Sequence, residues 1–233
     1  TWQEYQNRIN NELADVLGNF INRAVVLTHK YYDGKVPELG NITPADQLIL
    51  DEIAAIPNKI DTLIYQYKLR EAQSVAMSLA RLGNKYLADN EPWKLFKTDP
   101  KRVETIMNIG LQIAANLMLV LKPFIPSKAN QIAQFLGCEN LNWDRAGDPN
   151  ILAAGHQINK AELLFSKIED KTIEAQLEKL AATKIANEQE NKVVEPQKET
   201  IEFDDFTKLD IRIGTILEAE KVAKTKKLLK LKV

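Results

Sequence analysis

Asn19 and Arg23 lie four residues apart in the run Leu17-Gly18-Asn19-Phe20-Ile21-Asn22-Arg23. On a helix wound at about 100° per residue, Ile9, Leu13, Phe20 and Leu27 share one face, and Asn19 and Arg23 stack along its flank. There an amide fork and a guanidinium fork line a groove edge, and such forks can read the edges of unpaired bases. The same two groups also suit a capping or inter-helix hydrogen bond, and the spacing alone leaves both open. Trp93 follows Pro92 between two helical stretches, where a loop can present a ring. It can stack on a base, a contact worth about 1–3 kcal/mol, or plug the end of a bundle. Near the C-terminus Lys221, Lys224, Lys226, Lys227, Lys230 and Lys232 follow one another with no acid after Glu220. This basic strand-and-loop run suits phosphate contacts, or is a solvated strand face.

Catalytic chemistry has no comparable constellation. There is no glycine-rich phosphate loop, no nucleophile elbow and no histidine-rich metal spacing. His29 and His156 lie far apart, and Cys138, the one cysteine, follows a helix cap and reads as a packing residue. A single cysteine excludes an intramolecular disulfide framework and a cysteine-cluster zinc site, and points to the cytosol. The 31 basic and 32 acidic residues nearly cancel, so the chain is neither a uniform nucleic-acid coat nor an acidic tail. No segment reads as a signal peptide. The apolar run from Ile113 to Leu121 is interrupted by Asn116 and is too short to span a bilayer.

The elements that must position these residues are helical. Apolar residues from Trp2 to about Tyr32 recur every three or four positions, and Asp33-Gly34 closes that helix. The pattern predicts a short helix over Ala45 to Ile56 stopped at Pro57, and a long one over Asp61 to Asn90 broken by Pro92. Asp99-Pro100 opens a helix running to Leu121, Ser127 to Leu136 form another before Gly137, and a last one covers roughly Lys171 to Ala182. The fold class is therefore mainly α: an antiparallel helix bundle over residues 1–182, about four or five helices. Residues 183–200 have linker composition. From Ile201 the period becomes two, with Ile211, Ile213 and Thr215 in one strand-like run and Leu228 to Val233 in another, an incomplete β segment over 201–233. Both ends look cut from something longer.

These residues coincide with a known pattern. The segment NNELADVLGNFINRAVVLTHKYYDGKVP and the segment NEPWKLFKTDPKRVETIMNIGLQIAANLMLVLKPFIPSKANQIAQFLG resemble the anticodon-binding helical domain of the methionyl-tRNA synthetase family. GNFINR, EPWKLFK and LKPFIP carry the match, and it covers residues 1 to about 180. The tail from Phe203 resembles the opening strands of the OB-fold tRNA-binding domain appended to many bacterial members; a whole OB-fold has about five strands.

The resemblance implies that Asn19, Arg23 and Trp93 together read a CAU anticodon, with Trp93 as the stacking platform. It implies initiator and elongator methionine tRNAs as partners, and an upstream catalytic domain of the same chain. ATP and zinc would be the full-length enzyme's cofactors, and this part would be inactive alone, with none. The complete OB domain makes the family enzyme a homodimer; much of that domain is absent here, which weighs against dimerisation of this chain. Arg212, Lys226 and Lys227 are candidate contacts to the tRNA backbone on charge and position. The competing reading, from the residues alone, is a helical protein–protein scaffold with a short β appendage.

Overall fold

The computed structural model describes residues 1–190, 198–210, 212–222 and 228–233. It divides into two compact units, Thr1–Ala181 and Ala182–Val233. The class is mainly α with a small β segment, as the sequence pattern predicts.

In the first unit, α1 (Trp2–Arg8) runs without interruption into a π-helical segment (Ile9–Gly18) and then α2 (Asn19–Tyr32), which ends on left-handed Asp33. The apolar periodicity suggests one uniform α-helix here; the middle is instead wound with i→i+5 hydrogen bonds, the Asn19 N–H reaching the Ala14 carbonyl. Asn84 supports this winding from another helix, its Nδ2 donating to the Val16 carbonyl at 2.7 Å.

α3 (Pro44–Tyr65) passes through Pro57 without stopping. A proline inside a helix costs about 3 kcal/mol, and the buried row Ile53, Ile56, Pro57 and Ile60 offsets it. The break falls later, at Gln66–Lys68, where Tyr67 takes a positive φ of 59°. α4 (Leu69–Asn90) starts there, so the stretch expected as one helix from Asp61 is two. α5 (Pro92–Leu95) is a single turn, and α6 (Pro100–Leu121) and α7 (Pro126–Leu136) have the predicted starts and stops, with Gly137 left-handed at φ 64°.

α6 is the axis of the bundle. By length and composition it could cross a membrane, yet every residue from Thr105 to Leu121 is buried inside the protein. Its polar residues explain the apparent interruptions. Asn108 donates to the Pro37 carbonyl at 2.8 Å, Gln112 exchanges two hydrogen bonds with the Leu152 backbone, and Asn116 holds the Asp148 carbonyl and the Gly147 N–H. Spaced four apart, they bind the two loops that cover the helix, and so satisfy buried backbone groups that apolar side chains would leave bare.

α8 (Asp170–Glu190) is longer than expected: it continues from Ala182 to Glu190, through the first part of the stretch read as linker. Ala, Glu, Gln and Lys dominate there and are strong helix formers even where they have no core to join. The remainder of the expected linker, 191–197, lies outside the described residues.

The second unit contains α9 (Phe203–Thr207) and an antiparallel pair, β1 (Glu218–Lys221) and β2 (Leu229–Lys232). The strand expected over Ile211 to Ile216 does not form among the described residues 212–216. Alternation is a preference for a half-buried surface, and Ile213 is fully exposed.

Candidate nucleic-acid interface

Three of the sequence candidates fall on the first unit. Arg23 and Trp93, seventy residues apart in the chain, line one hollow of about 290 Å³ together with Asn22, Val26 and Leu27. Arg23 and Leu27 stand one turn apart on α2, and the next residue of that row, Tyr31, lies beneath Phe96 at the end of α5. Their rings are stacked 4.2 Å apart at 16°. Tyr32 meets the same Phe96 edge-on at 6.2 Å. α5 is thereby anchored on α2, and Trp93, two residues into α5, is presented beside Arg23.

Trp93 is 38% exposed. Neither Trp93 nor the exposed Arg23 makes a side-chain hydrogen bond or ion pair among the described residues. A partly exposed ring, a guanidinium and the apolar Val26 and Leu27 line a hollow able to take a flat, polar-edged group.

Asn19 is exposed on the same helix but does not line the hollow. The structure thus gathers Arg23 and Trp93 and leaves Asn19 one turn away, at the junction where π winding gives way to α. Asn22 does line it, and sequence reasoning passed over it. The signal was there: its side chain is polar and it neighbours Arg23, but a 100° wheel drawn through a π segment misplaces the flank.

Trp93 is launched from Glu91, a non-glycine residue held left-handed at φ 41°, a conformation that costs about 1–2 kcal/mol. The last turn of α4 is correspondingly well tied. Asp46, wholly buried at the start of α3, accepts from the Thr43 N–H and hydroxyl at 2.9 and 2.8 Å and from the Tyr86 hydroxyl at 2.6 Å. Arg102 engages both its oxygens. Burial pushes the Asp46 carboxyl up, but the hydrogen bonds from Arg102, Tyr86 and Thr43 outweigh it and hold the group well below the usual carboxylate range. Burial, then the bond to Asp46, pushes the Tyr86 hydroxyl far up.

The second-unit candidates are placed differently. Arg212 is exposed and its guanidinium is engaged by Asp210, with Nε at 2.8 Å from the carboxylate. Lys226 and Lys227 lie outside the described residues. Across the β1–β2 pair, Glu218 faces Lys232 and Glu220 faces Lys230, so two of the six lysines stand opposite acids. The run is basic along the chain but not across the strands.

Both histidines bond backbone carbonyls, His29 that of Asn159 and His156 that of Leu136. Cys138 packs against the core, and burial, helped by Glu139, pushes its thiol up to about 12.

A family model described as the anticodon binding domain of methionyl tRNA ligase matches residues 36–185. The chain belongs to that family. The matched span includes Trp93 and stops short of Asn19 and Arg23. The methionine–tRNA ligase of Phocaeicola vulgatus is 55% identical over 233 residues, all of this chain and 34% of that protein. That of Cytophaga hutchinsonii is 55% identical over 231 residues, 99% of this chain and 34% of its own length. The chain thus spans about a third of the curated relatives it matches. Among solved structures, the apo methionyl-tRNA synthetase of Mycobacterium tuberculosis superposes with a TM-score of 0.61 at 22% identity, covering 70% of this chain and 34% of that one. The same enzyme with methionyl-adenylate gives 0.59. At that identity the likeness concerns the fold.

Proposed function

We propose that this anticodon-binding domain reads the CAU anticodon of initiator and elongator methionine tRNAs, as one part of a methionyl-tRNA ligase. The observation that carries the reading is the pairing of Arg23 and Trp93 at one hollow, both uncommitted to intramolecular hydrogen bonds among the described residues. An anticodon loop can splay its bases and expose their Watson–Crick edges. Trp93 stacks on one base, the Arg23 fork bonds a base edge beside it, and Asn19 reaches a base or sugar edge one turn along the groove. Arg212, Lys226 and Lys227 hold the RNA backbone as sequence-independent contacts.

The whole enzyme would join methionine to its tRNA with ATP in the cytoplasm, through a catalytic domain outside these 233 residues. ATP and zinc would be held there. Residues from Phe203 onward would be the start of an OB-fold whose completion is the dimer contact. Two exposed strands and the bare apolar side chains of Phe203, Ile213 and Leu228 are what the opening of a larger β domain would present.

The test is binding of anticodon stem-loops carrying CAU or a single substitution, at one defined salt concentration. Preference for CAU is the expected result. Equal binding to all sequences would leave a general RNA binder, and no binding a helical scaffold.

A further inference from the structure

The hollow requires Trp93 to stand in one place before RNA arrives, because a ring that must first be ordered loses part of its stacking energy. The chain around it works against this. α5 is only one turn, and its start is a strained left-handed glutamate. Phe96 secures the far end of the turn. The near end is secured from α4. Arg102, in the first turn of α6, uses one nitrogen twice: Nη2 donates to Asp46 Oδ1 at 2.9 Å and to Asn90 Oδ1 at 3.2 Å. Asn90, the last residue of α4, also donates through Nδ2 to the Tyr86 carbonyl at 2.8 Å. Glu91 follows directly.

We infer that the Asp46–Arg102–Asn90 linkage is a positioning device for Trp93, fixing the end of α4 and hence the direction in which the left-handed Glu91 launches the ring. The inference rests on the anticodon reading for its purpose but not for its geometry. A buried ion pair is a poor source of net stability, since apolar side chains of the same volume serve as well or better. What apolar side chains cannot do is fix three helix ends in direction at once. Asp46 belongs to the start of α3, Arg102 to the start of α6, and Tyr86 and Asn90 to the end of α4. Asn90 is the one member that faces the hinge, and it is partly exposed, so it is not needed to keep the buried carboxylate paired.

The experiment uses the whole chain labelled with 5-fluorotryptophan, which gives fluorine resonances for Trp2, Trp93 and Trp143. Trp93→Phe assigns the line of interest. In Asn90→Ala the Trp93 line is expected to move towards the free amino acid's position while the Trp2 and Trp143 lines stay, with CAU stem-loop affinity about tenfold weaker. A stationary Trp93 line overturns the inference. So does collapse of all three lines, because Asn90 would then serve the fold as a whole. A moved Trp93 line with unchanged CAU affinity upholds the positioning role and overturns the anticodon reading instead, so the two fail separately.

Discussion

Arg23 and Trp93 differ in kind as well as place: one offers directional donors, the other a face. On the proposed reading, replacing Arg23 by Ala removes an edge contact and should reduce the preference for CAU over a substituted anticodon by about 1–3 kcal/mol. Trp93→Ala should lower affinity by a similar amount through lost stacking. Asn19→Ala tests whether the residue outside the hollow takes part, and Asn22→Ala whether the residue inside it does; loss of discrimination in each is expected. Far-UV circular dichroism should be unchanged in all four, because the four side chains are exposed. A folded Trp93→Ala protein with full CAU preference would remove the stacking role. Cys138 supplies a contrasting case, a residue whose chemistry is suppressed. Burial, then Glu139, pushes its thiol up to about 12. At neutral pH it should react with a thiol reagent far more slowly than free cysteine, and at the free rate once denaturant is added.

The helices were legible where local chemistry marks their ends. Asp99-Pro100 starts α6 and Gly137 stops α7, each through a backbone preference that neighbouring residues express alone. The break at Gln66–Lys68 contains neither glycine nor proline, and within the π winding of Ile9–Gly18 the Val16 carbonyl takes a hydrogen bond from Asn84 of α4, a contact no local pattern marks. The same holds for the interface: the spacing of Asn19 and Arg23 was visible, but not that α5 returns Trp93 to Arg23, nor that Arg102 reaches Asn90. Element contacts also set two stabilities. A Cβ on Gly83 of α4 would lie 2.3 Å from the buried Phe20 ring of α2, so Gly83→Ala should force the helices apart and destabilise by about 1–3 kcal/mol, read as a lower melting temperature. Asp46 makes the bundle acid-sensitive. Its carboxyl is depressed in the folded state, so its contribution is present above the unfolded value of about 3.9 and is lost as pH falls below it. Tyr86 is raised, so its contribution is present below about 10 and is lost at higher pH. Cys138 is raised as well, so its contribution is lost above about 8.5; thermal stability should be flat from about 4 to about 8 and drop on either side. Asp46→Asn should flatten the acid drop while lowering stability at neutral pH by about 3 kcal/mol, as one partner of a buried pair is lost.

The two units of the chain are unequal in what they bury. Thr1–Ala181 contains the apolar core around α6, whereas the strands of the second unit are exposed along their whole length. Specificity and strength of RNA binding should divide the same way. On the proposed reading, edge contacts and stacking belong to the first unit and depend on anticodon sequence. Lysine contacts to phosphate release counterions, so they depend on salt and hardly on sequence. The register qualifies how many lysines take part, because Glu218 and Glu220 face Lys232 and Lys230. Lys226 and Lys227 have no acid within the following residues of the chain and are the proposed phosphate contacts. Replacing both by Ala should weaken binding equally for CAU and substituted stem-loops, and reduce the slope of log affinity against log salt by about two. A chain ending at Glu190 goes further: it should keep its helical circular dichroism and its CAU preference, and lose the salt-dependent part of affinity. If that shortened chain binds all anticodons alike, discrimination needs the second unit, and the hollow beside Trp93 is not where the anticodon is read.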